Sequence, residues 1–396
     1  MSTGTTIAIG RNRKVFAKKE TVVGTLVIPA AGDMIVVNSA ELQIPNFNFV
    51  EDGAARTFRS SFNRYSTNKP GAAFKLQHYV RPSGAAETAP EADCLFESAY
   101  GKKTVTGSTS VAYDPDTTQP SFSLYVKEDH TVYVAVGCVV DKLSIKKDNK
   151  SMLEAAEDGK VFSVIWTGTG ALGEAISTTP AAGTEEWFLV DDVKKWCVGS
   201  HLLIDTEQIQ VTGTYWEGTT GGTAGKIKMK RGHNSSSVAT HLISAAITPW
   251  LPTGTETGVP LAARTGTLTI DAVAIPFLNV DYNLETGTTQ NEEEVPTDPA
   301  VTTPSDYFEG AIKVSGKLSL YHRKTDKKWF ADALKQTRKA MIINFGDTAG
   351  KKIAITNGYC EFDMPAKAGD MSVQKIDGGY TAYASAGHDE TQLKFL

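Results

Sequence analysis

Residues 311–321 alternate apolar and polar side chains along their whole length. Ile312, Val314, Leu318 and Leu320 fall on one side, and Lys313, Ser315, Lys317, Ser319 and Tyr321 on the other. In residues 278–285, Leu278, Val280, Tyr282 and Leu284 alternate with Asn279, Asp281, Asn283 and Glu285. A period of two gives a strand one dry face and one wet face. Phe74, Leu76 and Val80 against Lys75, Gln77 and Tyr79 predict another such strand. Short apolar runs at 187–190, 201–204, 207–211 and 226–229 predict a group of strands within 184–248. Two stretches suit a helix instead. Near 90–100, Thr88-Ala89-Pro90-Glu91 offers a capping box and Gly101 a stop. Over 326–339, Trp329, Phe330, Ala333, Leu334 and Met341 form an apolar stripe. The expected fold class is mainly β.

Part of this pattern occurs twice. Gly137-Cys138-Val139-Val140-Asp141 is followed by Asp158-Gly159, and Tyr359-Cys360-Glu361-Phe362-Asp363 by Asp377-Gly378. Upstream of each lie an alternating strand, from Gly71 and from Gly310, and then a helix. The order strand, helix, Cys-x-x-Asp strand, Asp-Gly turn and final strand is therefore expected twice, and such repeats decide a fold before any motif does. Three units follow: 1–171, an inserted small β-module at 184–248, and 262–396, each large unit with its own core. Residues 172–183 and 251–258, rich in Thr, Pro and Gly, are expected to be linkers. Residues 286–306 form a polar loop with Glu292, Glu293, Glu294 and Asp298, long enough to expect a function for it.

Composition narrows the chemistry. The net charge of −5 over 396 residues gives no general nucleic-acid footprint. Cys94, Cys138, Cys197 and Cys360 are too far apart for a zinc or thioredoxin-type motif and are expected to be free thiols. The seven histidines are scattered. Gly168-Thr169-Gly170-Ala171-Leu172-Gly173 matches a dinucleotide fingerprint in letters, but Thr179-Pro180 follows too soon for the helix that would hold a pyrophosphate. No nucleophile elbow or phosphate loop occurs, so catalytic, cofactor and metal residues are each expected to be none, and the chain not to be an enzyme. No secretory signal and no membrane span is expected, since Pro29, Gly32 and Asp33 break the apolar run at 22–37. Arg11, Arg13, Lys14, Lys18 and Lys19 make the first twenty residues basic.

Taken in order, several stretches resemble the tail tube proteins of long, non-contractile-tailed phages. They are Gly24-Thr25-Leu26-Val27-Ile28-Pro29 with Asp33; Tyr79-Val80-Arg81-Pro82 with Pro90-Glu91-Ala92-Asp93; Gly137 to Leu143; Gly159-Lys160-Val161-Phe162; and Ala386-Gly387-His388-Asp389-Glu390. The insert is similar to small β-barrels of phage structural proteins, through Val198-Gly199-Ser200, Ile204-Asp205-Thr206-Glu207, Lys230-Arg231-Gly232 and His241, with Gly199 and Gly232 serving turns.

The resemblance implies two β-sandwich domains, each with a flanking helix, plus the inserted barrel. It implies a structural virion protein whose rings stack into a tube for DNA passage, placed in the virion tail after assembly in the host cytoplasm. The implied partners are further copies of the chain, tape measure, terminator and distal tail proteins, and DNA in transient, non-specific passage. Two tube domains per chain imply trimeric rings with pseudo-sixfold symmetry; one would imply hexamers. On this reading Asp281, Asn283 and Ser315 are lumen candidates in a wall neutral or acidic on balance, against which Lys313 and Lys317 count. The acidic loop (Glu292, Glu293, Glu294, Asp298) and the basic region (Arg11, Arg13, Lys14) are expected to join adjacent rings. The alternative is a non-tube phage structural or decoration protein, with an enzyme ranked after it.

Overall fold

The computed structural model describes residues 13–44, 49–51, 64–66, 71–147, 151–216, 225–262, 264–292, 304, 306–323, 327–369 and 374–396. Among the described residues strands make up 53% and helices 7%, so the fold is mainly β. The first unit contains β1 (Arg13–Lys19), β2 (Met34–Ile35), β3 (Val37–Gln43), β4 (Phe49–Glu51), β5 (Arg64–Ser66), β6 (Ala72–Tyr79), α1 (Asp93–Tyr100), β7 (Gly101–Thr106), β8 (Ser110–Pro115), β9 (Phe122–Glu128), β10 (Thr131–Lys147), β11 (Glu154–Val161) and β12 (Ser163–Thr167). The insert follows with β13 (Gly170–Ala171), β14 (Glu185–Val190), β15 (His201–Ile204), β16 (Glu207–Trp216), β17 (Gly225–Lys230) and β18 (Ala246–Pro249). The last unit holds β19 (Gly266–Ile270), β20 (Val273–Ile275), β21 (Asn279–Glu285), β22 (Thr289–Gln290), β23 (Tyr307–Phe308), β24 (Lys313–Tyr321), α2 (Lys327–Leu334), β25 (Lys339–Phe345), β26 (Ile353–Phe362), β27 (Ala366–Gly369), β28 (Gln374–Tyr383) and β29 (Gln392–Phe395).

The two large units repeat strand for strand. In the first, pairing runs β3-β6-β11-β10 on one side and β2-β1-β9-β10-β12 on the other, with the long β10 shared. The last unit gives β21-β24-β28-β27 and β20-β19-β25-β26-β29, where β27 continues the line of β26 past Asp363. Each helix sits between the same two equivalent strands, and the β7–β8 hairpin is an addition to the first unit.

A matched pair of contacts makes the repeat concrete. Phe74 in β6 lies directly opposite Gly159 in β11, its ring filling the space a Cβ would need. In the last unit the members trade places: Gly316 in β24 faces Tyr380 in β28, whose ring lies over the glycine. A glycine inside a strand marks such a close approach.

Several expectations need correcting. Asp158-Gly159 and Asp377-Gly378 are not turns but lie inside β11 and β28. With the cysteines aligned they are also two residues out of register, since Val140 faces Gly159 whereas Phe362 faces Tyr380. The large units do not have separate cores. Phe96 packs on Phe395 at 5.6 Å, the Tyr100 and Tyr282 hydroxyls bond at 2.8 Å, and one buried cluster runs through both units. The capping box at 88–91 does not form. Ala92 precedes α1 without a side-chain cap, and Glu91 instead accepts from the Val36 N–H at 2.6 Å. Gly101, at φ 104°, does end that helix. α2 stops at Leu334, because Met341, Ile343 and Phe345 point inward with the strand period and draw 339–345 into β25.

The insert closes on itself. Its strands run β13-β18-β15-β16-β17-β14, and Leu172 bridges Val190, with the Gly173 N–H donating to the Leu189 carbonyl, to join the ends. It has its own core, including Leu172, Ile176, Val190, Leu202, Ile227 and Ile247. Residues 172–176 are therefore barrel wall rather than linker, and the module begins at Gly170. The glycine-rich motif enters β13 and leads to no helix; the Gly168 carbonyl accepts the Trp196 indole N–H at 2.8 Å. Gly199 and Gly232 turn the chain at φ 93° and 56°. The stretch 251–258 packs along the first unit, where the Thr255 N–H donates to the Ala31 carbonyl and Gly258 lies against Pro82.

Candidate assembly surface

The two half-sheets meet edge to edge. The second half of β10 pairs with β21 from Lys142–Glu285 to Lys147–Val280. Eight strands thus run side by side as β3-β6-β11-β10-β21-β24-β28-β27, with two equivalent quartets joined in the middle. Val280, Tyr282, Leu284, Val314, Leu318 and Leu320 are buried on the dry side, as the alternation requires.

The wet side carries an ordered charge pattern. One cross-strand row reads Glu41, Lys75, Asp158, Lys142, Glu285, Lys313, alternating in sign at every strand. A second reads Glu154, Lys146, Asp281, Lys317. Between them runs an uncharged row of Ser39, Gln77, Ala156, Ser144, Asn283, Ser315 and Thr381. The Ser144 hydroxyl donates to Asn283 at 2.8 Å, and Lys142 reaches Glu285 at 3.1 Å, which raises the lysine's pKa. Asp281, Asn283 and Ser315 therefore share one face, and Lys313 and Lys317 are set against acids in the same rows. Opposite charges on facing positions stabilise a pair by only a few tenths of a kcal/mol to about 1 kcal/mol. Their larger effect is to cancel the field that either sign alone would project.

The loop candidates split. Glu292 lies within the described residues and accepts the Gly71 N–H at 3.2 Å, inside the chain. Glu293, Glu294 and Asp298 lie outside the described residues, as does Arg11. Arg13 is not on a loose arm: it sits in β1 and pairs with Glu128 at 2.7 Å. Lys18 and Lys19 pair with Asp33 at 2.8 Å and Glu97 at 2.7 Å, while Lys14 is exposed.

Sequence reading missed one feature. The hairpin of β21 and β24 extends through β22 and β23, and that of β3 and β6 extends in the same way through β4 and β5. The step from Glu41 to Val50 equals that from Asp281 to Gln290, and the step from Lys75 back to Tyr65 equals that from Lys317 back to Tyr307. Val50 faces Tyr65, and Gln290 faces Tyr307. The lengths were the available signal; the residues in the two extensions differ too much to show it.

The second extension folds over the first unit. Tyr307 stacks on Phe162 with centroids 4.2 Å apart and its hydroxyl donates to the Gly137 carbonyl, while Gln290 donates to the Val161 carbonyl at 2.7 Å. Among the described residues no group of three or more His, Cys, Asp or Glu is arranged for a metal, and no helix is long and apolar enough to cross a membrane. The four cysteines are free. Burial pushes the thiol pKa of Cys138 and of Cys360 up, the latter to about 12, which disfavours the reactive thiolate. Neither a scan against protein-family models nor a search of curated proteins returned a match.

Proposed function

We propose that this chain is the subunit of a phage tail tube, a structural protein whose rings stack around a channel through which DNA leaves the particle. One observation carries the reading: two equivalent four-stranded sheets are already joined edge to edge within the chain, and the outer strands remain available. Among the described residues β3 pairs only with β6, and β27 only with β28. Exposed edges of this kind invite further pairing, and ring closure removes them. Three chains supply six quartets, giving pseudo-sixfold symmetry from a trimer.

The wet face suits the wall of such a channel. DNA is held through phosphates by unopposed Lys and Arg. Here each lysine in the two charged rows has an acid on a neighbouring strand, so the wall neither grips the duplex nor strongly repels it. Tape measure, terminator and distal tail proteins are the partners this role requires, in a virion tail assembled in the host cytoplasm. The fold performs this role without bond chemistry.

Electron microscopy of the purified chain tests the reading. Hollow tubes or stacked rings are expected. A protein that stays monomeric at high concentration, or coats a shell without polymerising alone, would be a non-tube structural or decoration protein instead.

A further inference from the structure

The chain contains a template for its own contact with the next copy. In the internal joint, Ser144 of β10 faces Asn283 of β21 and Lys146 faces Asp281. The repeat identifies the corresponding residues at the outer edges. The row Ser39, Gln77, Ala156, Ser144 corresponds to Asn279, Ser319, Asp377, Ala366, so Ala366 takes the place of Ser144. Glu41 takes the place of Asp281, and Gln43 that of Asn283.

A second, independent contact points to the same partner. Phe162 follows Val161, which faces Ala72; Tyr383 follows Ala382, which faces Val314. Gly137 and Tyr359 each precede the aligned cysteine. In the first unit this spot is covered by the β22–β23 extension, and Phe162 is 8% exposed. In the last unit no described residue covers the equivalent spot to that degree, and Tyr359 and Tyr383 are 42% and 39% exposed, although Arg338 lies 5.1 Å from the Tyr383 ring. The extension that corresponds to β22–β23 is β4–β5, which belongs to the opposite edge.

We infer that the occupant of this face is a second copy of the chain, seated with β3 beside β27 so that Gln43 faces Ala366 and Glu41 faces Ala368, and with its β4–β5 extension over Tyr359 and Tyr383. This rests on the tube reading and sharpens it. The seam between chains reuses the internal register without the two wet-face lysines of β10, since Met364 and Ala368 replace Lys142 and Lys146. It is therefore less dependent on ionic contacts than the joint inside the chain.

Paired cysteines test the register in the full-length protein. Facing residues have Cβ atoms about 4.5–5.5 Å apart, within reach of a disulfide, whereas a shift of four residues moves them by about 13 Å. Gln43→Cys with Ala366→Cys should give, on mild oxidation, covalent species up to three chains and no larger. Ser39→Cys with Ala366→Cys, and either single variant, should not. Rings that form but do not crosslink through Gln43→Cys and Ala366→Cys would overturn the register while leaving the tube reading intact. Failure of the unaltered protein to form any ring would overturn both. As a second check, Tyr383→Glu should prevent ring closure while the monomer keeps its circular dichroism spectrum; normal rings from that variant would contradict the aromatic contact.

Discussion

At the residue scale, close packing explains what the letters left obscure. Phe74 over Gly159 and Tyr380 over Gly316 do the same job with the ring on opposite strands. An alignment by identity sees two mismatches where packing sees conserved volume. Phe74→Ala should therefore cost about 3–5 kcal/mol, the usual loss for a buried aromatic. The exchange Phe74→Gly with Gly159→Phe should recover part of that loss, because the last unit folds with that arrangement. Chemical denaturation of the three proteins checks it; a double variant no more stable than Phe74→Ala would refute the equivalence. The Cys-x-x-Asp match was legible because both cysteines are buried at equivalent positions within β10 and β26. The Asp-Gly match was in part coincidence, since its register differs between the two units.

The insert offers a second residue-scale case. Glu207 and Arg231 are fully buried, joined at 2.8 and 2.9 Å, and the same carboxylate also accepts from the Gly232 and Ala239 N–H groups and contacts His241. Burial alone would raise the Glu207 pKa; Arg231 and these other contacts outweigh it and hold the carboxyl down at about 2. Its contribution to stability is thus present above its ordinary value near 4.5 and lost as pH falls toward about 2. Removing one partner of a buried pair costs about 3–5 kcal/mol. Glu207→Ala should unfold the barrel while the proposed rings still assemble, because the barrel's core is separate from that of the two larger units. Loss of rings would show that the insert takes part in closure.

At the element scale, alternation located β6, β21 and β24, because one face of each is buried. Hairpin extensions were harder to find. β4 and β5, like β22 and β23, are three residues or fewer, too short for a period to emerge. The acidic loop likewise divides into parts with different work. Gln290 and Glu292 bond to the first unit, so a deletion that begins at 288 would damage the internal joint as well as any contact between rings. Deletion of 294–303 is the cleaner test of stacking. Single rings without tubes are expected by microscopy; full-length tubes would remove this loop from the stacking contact. His201 sets a pH limit on the barrel. Burial, with the neighbouring His233, lowers its pKa from 6.5 to about 4, so the folded barrel prefers the neutral ring. That preference stabilises the barrel above pH 6.5 and is lost as pH falls toward about 4, a change of about 3 kcal/mol. A barrel whose melting temperature is flat across that interval would contradict it, as would one unaffected by His201→Phe.

At the scale of the whole molecule, the chain is two copies of one sheet-forming unit fused side by side, with a barrel set into the connection. The joint inside the chain could not be read from sequence, because Lys142 to Lys147 and Asn279 to Glu285 are far apart and nothing in either names the other as its partner. The alternating charges on the wet face of that joint bear on the proposed channel wall. Replacing Asp158, Asp281 and Glu285 by their amides should leave Lys75, Lys142, Lys146, Lys313 and Lys317 less opposed. Such tubes should retain DNA, with binding that falls steeply as salt rises, while the unaltered protein retains little. Equal retention by both would show that this face does not meet DNA.

We expect three chains, each holding two equivalent units, to close one ring. Top-view class averages of negatively stained rings test this most directly, because the inserted barrel occurs once per chain. Three projections spaced around six similar wall segments are predicted. Six equal projections, or particles with no central channel, would contradict a trimeric ring.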